Sequence, residues 1–282
     1  MEIFRYHGLG NDYLVVDRNF CDLDLNPKRI KLICDRNFGV GSDGILYKSV
    51  KEDKNFHLKI YNSDGGEAEK SGNGVRIFAK YLKDAGYAKE QDVLICTVGG
   101  DVIVKYLDEA GSNMRVFMGQ ATCLSEKIPV LGECREVVHE KMEFNHKEYF
   151  VTCVSIGNPH CVIFCDEISK ALACEVGPFV ENSPMFPNKI NTQFVRVINR
   201  NKIQFEIYER GSGYTMASGS SSCAAAYAGY CNGLVDNRIT VCMPGGELEI
   251  KIDVNKIFMT GPVCNIGKLI FDDEFEKKLK SI

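Results

Sequence analysis

Two short stretches of the chain carry residue types that could do chemistry as a pair. Ser71-Gly72-Asn73-Gly74 and Ser218-Gly219-Ser220-Ser221 each set a hydroxyl and a glycine just ahead of a helix-patterned segment. The unpaired N–H groups of a helix's first turn, reinforced by its dipole, form a ready site for an anion, and glycine lets the backbone approach it closely. Two such starts could hold a small carboxylate by its oxygens and offer one side chain, from position 71 and from position 218, to opposite faces of the neighbouring carbon. Inverting a carbon α to a carboxylate without a cofactor requires a base on one face and an acid on the other. For either stretch alone the plainer reading is a helix N-cap, the commonest use of serine in that place. His160, after Asn158-Pro159, is a further candidate partner for a serine, although a lone histidine in such a turn is more often structural. Phosphate-binding signatures are missing: there is no GxxxxGK[ST], and no GxGxxG follows a strand with an acidic residue at the expected distance.

The case for chemistry rests on duplication. Ile60–Gly72 can be laid over Ile207–Gly219, an offset of 147, with Ile-Tyr, Gly66/Gly213 and Ser-Gly coinciding. The same offset relates Gly10-Asn11 to Gly157-Asn158, each followed by an apolar run, and Gly99-Gly100 and Gly245-Gly246 recur one residue off it. Matches in order at nearly one spacing indicate a duplicated domain. Each half reads as mainly β with one prominent helix. Asp92–Val98 and Asp101–Leu107 flank a Gly-Gly turn as a hairpin, and Ile239–Met243 and Glu247–Ile252 repeat it. Val75, Phe78, Ala79 and Leu82 fall at i, i+3, i+4 and i+7 of a helix stopped by Gly86, and the Ala-rich segment Cys223–Tyr230 is stopped by Gly233. The expected domains are 1–118, with the tail 265–282 packing back on it, and 119–264.

Composition bounds the rest. With 282 residues, 45% hydrophobic and 26% charged, the chain fits one large or two ordinary globular domains. A net charge of −4 leaves no basic footprint for nucleic acid, and no run approaches the ~18 apolar residues of a membrane span. The thirteen cysteines include no CxxC pair, and the closest spacing, Cys161 and Cys165, lacks a second half for a zinc site, so no metal is expected. Without a secretory start, the expectation is a cytoplasmic protein whose thiols are reduced and mostly buried.

Taken together, the motifs resemble those of the diaminopimelate epimerases, cofactor-independent amino-acid isomerases. The resemblance runs over nearly the whole chain: His7-Gly8-Leu9-Gly10-Asn11-Asp12, Cys34–Gly41, Gly72-Asn73-Gly74-Val75-Arg76, Gly157-Asn158-Pro159-His160, Phe186-Pro187 through Asn191, and Tyr208-Glu209-Arg210-Gly211. It implies an α/β (α+β) fold of two pseudo-symmetric domains, each a curled, mainly antiparallel sheet around a central helix, and a homodimer without a cofactor. It also implies a small amino-acid substrate, LL- or meso-diaminopimelate on the lysine and cell-wall precursor route, inverted at its α-carbon by two-base proton transfer. By position, the residues similar to the family's substrate contacts are Asn11, Asn62, Asn158, Asn191, Glu209 and Arg210, with the helix-start backbones at Gly72-Asn73 and Gly219-Ser220. A forked Arg210 suits a distal carboxylate, and Glu209 with the asparagines suits a distal ammonium.

The family's base and acid are cysteines, one before the glycine of each helix start, and this chain has Ser71 and Ser218 there. A serine hydroxyl is a far weaker acid than a thiol and needs an adjacent base to be useful. Tyr214 also stands where the family often has an acidic residue. An epimerase with its cysteines replaced, a natural serine-type relative acting on a related amino acid, and a protein that binds without turnover all fit these residues. A racemase for another polar amino acid, such as histidine, would not need the distal clamp of Glu209-Arg210.

Overall fold

The computed structural model describes residues 1–48, 55–69 and 71–282 and divides into two units, Met1–Val116 with Gly261–Ile282, and Phe117–Thr260. Lys70, which the repeat pairs with Ala217, lies outside the described residues. In the first unit β1 (Glu2–Gly8) reverses at Leu9-Gly10, both at positive φ (58° and 84°), into β2 (Asn11–Asp17). There follow α1 (Pro27–Cys34), β3 (Gly44–Lys48), β4 (Phe56–Asn62), β5 (Glu67–Ala68), α2 (Gly72–Asp84), β6 (Asp92–Thr97), β7 (Gly100–Tyr106) and β8 (Asn113–Gln120). The second unit contains β9 (Glu140–Phe144), β10 (Lys147–Ser155), β11 (Pro159–Phe164), α3 (Lys170–Glu181), β12 (Asn191–Asn199), β13 (Lys202–Glu209) and β14 (Gly213–Thr215). It continues with α4 (Gly219–Cys231), β15 (Arg238–Met243), β16 (Gly246–Asp253) and β17 (Lys256–Pro262), and the chain closes with β18 (Cys264–Ile270) and α5 (Asp273–Lys280).

The duplication is visible in the strand pairing. The first sheet runs β18–β1–β2–β3–β4–β6–β7–β8 and the second β9–β10–β11–β12–β13–β15–β16–β17. Along either sheet the senses are antiparallel, antiparallel, parallel, antiparallel, parallel, antiparallel, antiparallel. The fold is therefore α/β, with two pseudo-symmetric and mainly antiparallel curled sheets. The outer strand beside β1 comes from the end of the chain, whereas its counterpart beside β10 is the strand just before it. Phe271 and Leu279 of the closing segment are buried with Ile3, Leu14, Ile30 and Ile33.

Each sheet curls around one helix. The α2 helix touches β1, β2, β6 and β7, and α4 touches β10 to β13, β15 and β16. The expected apolar face of α2, Val75, Phe78, Ala79 and Leu82, has no solvent exposure, and Gly86 ends the helix at φ 75°. The structure also buries the other face: every residue from Asn73 to Leu82 is enclosed. That includes Arg76, which donates to the Gly72 carbonyl (3.3 Å) and Asn73 Oδ1 (2.8 Å), and Lys80, paired with Asp84 and the Ala110 carbonyl (2.9 Å). Buried cations persist only when bonded in this way. The α4 helix starts four residues earlier than the Ala-rich run suggests, and its small side chains Ala224, Ala225, Ala226 and Ala228 are wholly covered. Among the described residues no helix is long and apolar enough to cross a membrane.

One expectation is corrected. All thirteen cysteines are free thiols, but only Cys21, Cys34, Cys123, Cys153, Cys161 and Cys223 are buried. Cys134 is exposed in a loop, Cys174 on the outer face of α3, Cys231 at the end of α4 and Cys264 at the start of β18.

Candidate functional site

In the first unit Ser71 takes extended backbone (φ −139°, ψ 120°) as the N-cap of α2, and its Oγ accepts the Gly74 N–H at 3.0 Å. The Tyr13 hydroxyl stands 3.4 Å from the same oxygen. Asn11, at the first position of β2, accepts from Asn73 Nδ2 (3.0 Å) and donates to Asp43 (2.8 Å). Arg76 holds the other end of the Asn73 amide, and Arg36 donates to Asp43 at 2.9 Å. A chain of bonds from a buried guanidinium to a carboxylate thus orients both amides. Asn62 lies at the end of β4, exposed, and its side chain has no hydrogen-bond partner among the described residues.

Tyr13, Gly44 and Asn62 are cross-strand neighbours on β2, β3 and β4. A Cβ at Gly44 would meet the Tyr61 carbonyl at 2.3 Å and the Tyr13 ring at 2.8 Å, so glycine there makes room for the tyrosine that reaches Ser71. We expect Gly44→Ala to lower stability by about 2 kcal/mol through overpacking against backbone. The urea midpoint measures this, and an unchanged midpoint would show that the strand shifts without cost.

The second unit repeats the arrangement. Ser218 caps α4 with nearly the same backbone (φ −146°, ψ 123°), and its Oγ accepts the Ser221 N–H at 3.3 Å. Asn158 donates to Ser220 Oγ (3.4 Å), as Asn73 bonds Asn11 in the first unit, and Ser220 Oγ lies 3.4 Å from Ser218 Oγ. Behind Asn158 stands His160. Gln193 Nε2 donates to His160 Nδ1 (3.1 Å) and to Ser221 Oγ (3.0 Å), which leaves the proton on Nε2 for Asn158 Oδ1 at 3.0 Å. Burial first, and then the charge of Arg210, push the pKa of His160 down to about 3. With both ring nitrogens engaged and the ring neutral, His160 positions Asn158 and gives no base to Ser218.

The remaining expected residues gather at the same edge, since His160 pairs with Asn191 and Thr192 with Tyr208 across β11, β12 and β13. Asn191 is buried. Its Nδ2 donates to the Pro159 carbonyl (2.8 Å) and its Oδ1 accepts the Arg210 N–H (3.0 Å), leaving one N–H and one lone pair for a ligand. Arg210 is exposed, with one guanidinium nitrogen on the Asn188 carbonyl at 3.1 Å, and Glu209 precedes it at the end of β13. Glu181, a buried carboxylate at the end of α3, accepts the Gly211 N–H at 2.9 Å and so holds the turn that carries Arg210. We expect Glu181→Ala to cost about 1–3 kcal/mol by leaving that N–H unpaired, and Glu181→Gln to cost much less. Thermal melts of the two variants measure it; equal losses would show that the charge, not the acceptor, matters.

Tyr13, Arg76, Gln193 and Glu181 were not among the expected site residues. The 147-residue offset could have found Tyr13, which it places opposite His160. Arg76 closes the Gly72–Arg76 stretch that carries the family resemblance, whereas Gln193 and Glu181 carry no local sequence signal.

The two-unit fold is similar to those of solved racemase and epimerase structures. A probable proline racemase from Agrobacterium radiobacter superposes with a TM-score of 0.69 at 14% identity, over 99% of this chain and 95% of that one. A hydroxyproline epimerase from Agrobacterium vitis gives 0.70 at 12% identity, over 95% and 90%. Within that class the chain belongs to the diaminopimelate epimerase family, whose sequence model matches residues 3–124 and 152–266. It is 47% identical over 270 residues to "Diaminopimelate epimerase 2" of Nostoc sp., covering 95% of this chain and 94% of the relative. It is also 37% identical over 273 residues to the diaminopimelate epimerase of Moorella thermoacetica, covering 94% and 97%.

Proposed function

We propose that this protein is a diaminopimelate epimerase-like isomerase with Ser71 and Ser218 at the two proton-transfer positions. The observation that carries this reading is the equivalence of the two helix starts, with a capping hydroxyl, a bonded asparagine pair or asparagine–serine pair, and the same strand order in each unit. The first-turn N–H groups of each helix start suit a carboxylate, and Asn11 and Asn158 each bond the residue beside their own start, Asn73 and Ser220. Asn62, Asn191, Glu209 and Arg210 serve the distal head. One serine position takes the α-hydrogen as a proton while the carboxylate accepts the charge, and the other returns a proton to the opposite face. The protein works as a cytoplasmic homodimer without a cofactor, and its product serves lysine and cell-wall precursor synthesis.

A second reading, a protein that binds the amino acid without turnover, is favoured by one observation. Among the described residues neither serine hydroxyl has an imidazole or carboxylate within hydrogen-bond reach; the contacts are Tyr13 and Gly74 for Ser71, and Ser220 and Ser221 for Ser218. Exchange of the α-hydrogen of LL- and meso-diaminopimelate in D₂O separates the readings. Exchange by the protein as it stands supports the isomerase. Tight binding without exchange supports the binder, and neither binding nor exchange overturns both.

A further inference from the structure

We propose that Cys123 and Cys231 form a reversible redox site, closing to a disulfide when the protein meets a peroxide. The two sulfurs lie 3.9 Å apart, within one unit, between residues 108 apart in sequence. A disulfide needs about 2.05 Å, so the two sulfurs, already in contact, have only to move closer to bond. Cys231 is the last residue of α4 and is exposed, whereas Cys123 is buried. The backbone around Cys123 is held by the bridge between Thr122 and Ser155 and by the Val137 N–H on the Cys123 carbonyl (2.9 Å). Next to Cys231, the helix end is docked by Asn232, which donates to Thr152 Oγ1 at 2.8 Å. The geometry thus pairs an accessible attacking thiol with a fixed resolving one.

The electrostatics agree. Cys123 donates its S–H to Cys231, and this bond, with a second from Tyr227, lowers the Cys231 pKa against burial and the nearby Glu136. The same contact and burial raise that of Cys123. The roles are therefore unequal: Cys231 is the more readily ionised sulfur and Cys123 the less.

In the first step the Cys231 thiolate attacks one peroxide oxygen; the S–O bond forms, the O–O bond breaks, and the departing oxygen takes a proton. In the second step the Cys123 sulfur attacks the sulfenic sulfur; the S–S bond forms and the hydroxyl leaves as water with the proton of Cys123. Two electrons pass from the thiols to the peroxide. The bridge ties down the far end of the helix whose first turn is capped by Ser218.

The test uses the full-length, fully reduced protein with stoichiometric hydrogen peroxide, quenched with N-ethylmaleimide in denaturant and digested without reductant. The expected result is one cross-linked peptide joining Cys123 to Cys231, lighter by about two hydrogens and lost on dithiothreitol treatment. The wholly buried pair Cys153 and Cys161, opposed across β10 and β11, should be recovered as alkylated thiols. In Cys123→Ser, Cys231 should instead accumulate as sulfenic acid trapped by dimedone. The proposal is overturned if Cys231 stays a thiol while other cysteines oxidise, if it is over-oxidised without linking, or if it links only to a second chain.

Discussion

Replacing Ser71 and Ser218 together by cysteine raises α-hydrogen exchange of diaminopimelate by about 10²–10⁴-fold, the range that a well-matched acid–base group contributes. The reason lies in what surrounds each oxygen. Both hydroxyls accept a first-turn N–H, from Gly74 at 3.0 Å and from Ser221 at 3.3 Å. A donor aimed at that atom, at the positive end of a helix dipole, stabilises negative charge on it. That is enough to bring a thiol from about 8.5 towards neutrality. It does far less for an alcohol, a much weaker acid with no base beside it among the described residues, so the serine protein exchanges slowly. The single variants are the control: each supplies one competent face, so each should gain far less in epimerisation than the double variant. Equal exchange by the serine protein and the double variant would show that some other group moves the proton.

Lowering the pH from 7 to 4.5 destabilises the protein through His160, and His160→Gln removes that dependence. The folded pKa of about 3 lies below the ordinary value of 6.5, because burial and Arg210 oppose the charged ring. Between those two values the unfolded chain takes up a proton that the folded chain refuses. Stability contributed by the neutral histidine is therefore complete above pH 6.5 and is lost as pH falls towards 3, at a slope approaching about 1.4 kcal/mol per pH unit. Asp12 acts lower on the scale: burial raises its pKa, but Arg36 and Arg5 together hold it below 3.8. Urea midpoints read between pH 7 and 4.5 also carry Glu247 and Glu276, held below 4.5 by Lys202 and the N-terminal ammonium, so the histidine is read from the difference between parent and variant. His160→Gln should start less stable, since it disturbs the bonds to Gln193 and Asn158, and then lose less than the parent on acidification. Parallel curves would mean that His160 is protonated in the fold and that Gln193 accepts from it instead.

The parts of this protein that were legible in its sequence are those governed by local physics. Ser71 and Ser218 are readable as caps because an N-cap is defined by the three residues that follow it. The α2 helix and the hairpins at Gly99-Gly100 and Gly245-Gly246 follow from periodicity and turn chemistry. Duplication was readable because it repeats those local signals at one offset, and the family motifs extended the reading to the asparagines, Glu209 and Arg210.

What decided the rest was which strands lie side by side. Arg76 and Lys80 sit on what a helical projection shows as a polar face, yet the sheet curls far enough around α2 to enclose them. His160 became a brace because the parallel pairing of β11 with β12 brings Gln193 against it from 33 residues away. Asp43 meets Asn11 across a parallel crossover, and Glu181 meets Gly211 from the end of another helix. The exposure of Cys231, and its meeting with Cys123, depend on where a helix ends over a strand-like segment. Buried polar groups must find partners, but their identity is a property of tertiary neighbours and leaves no period in the sequence.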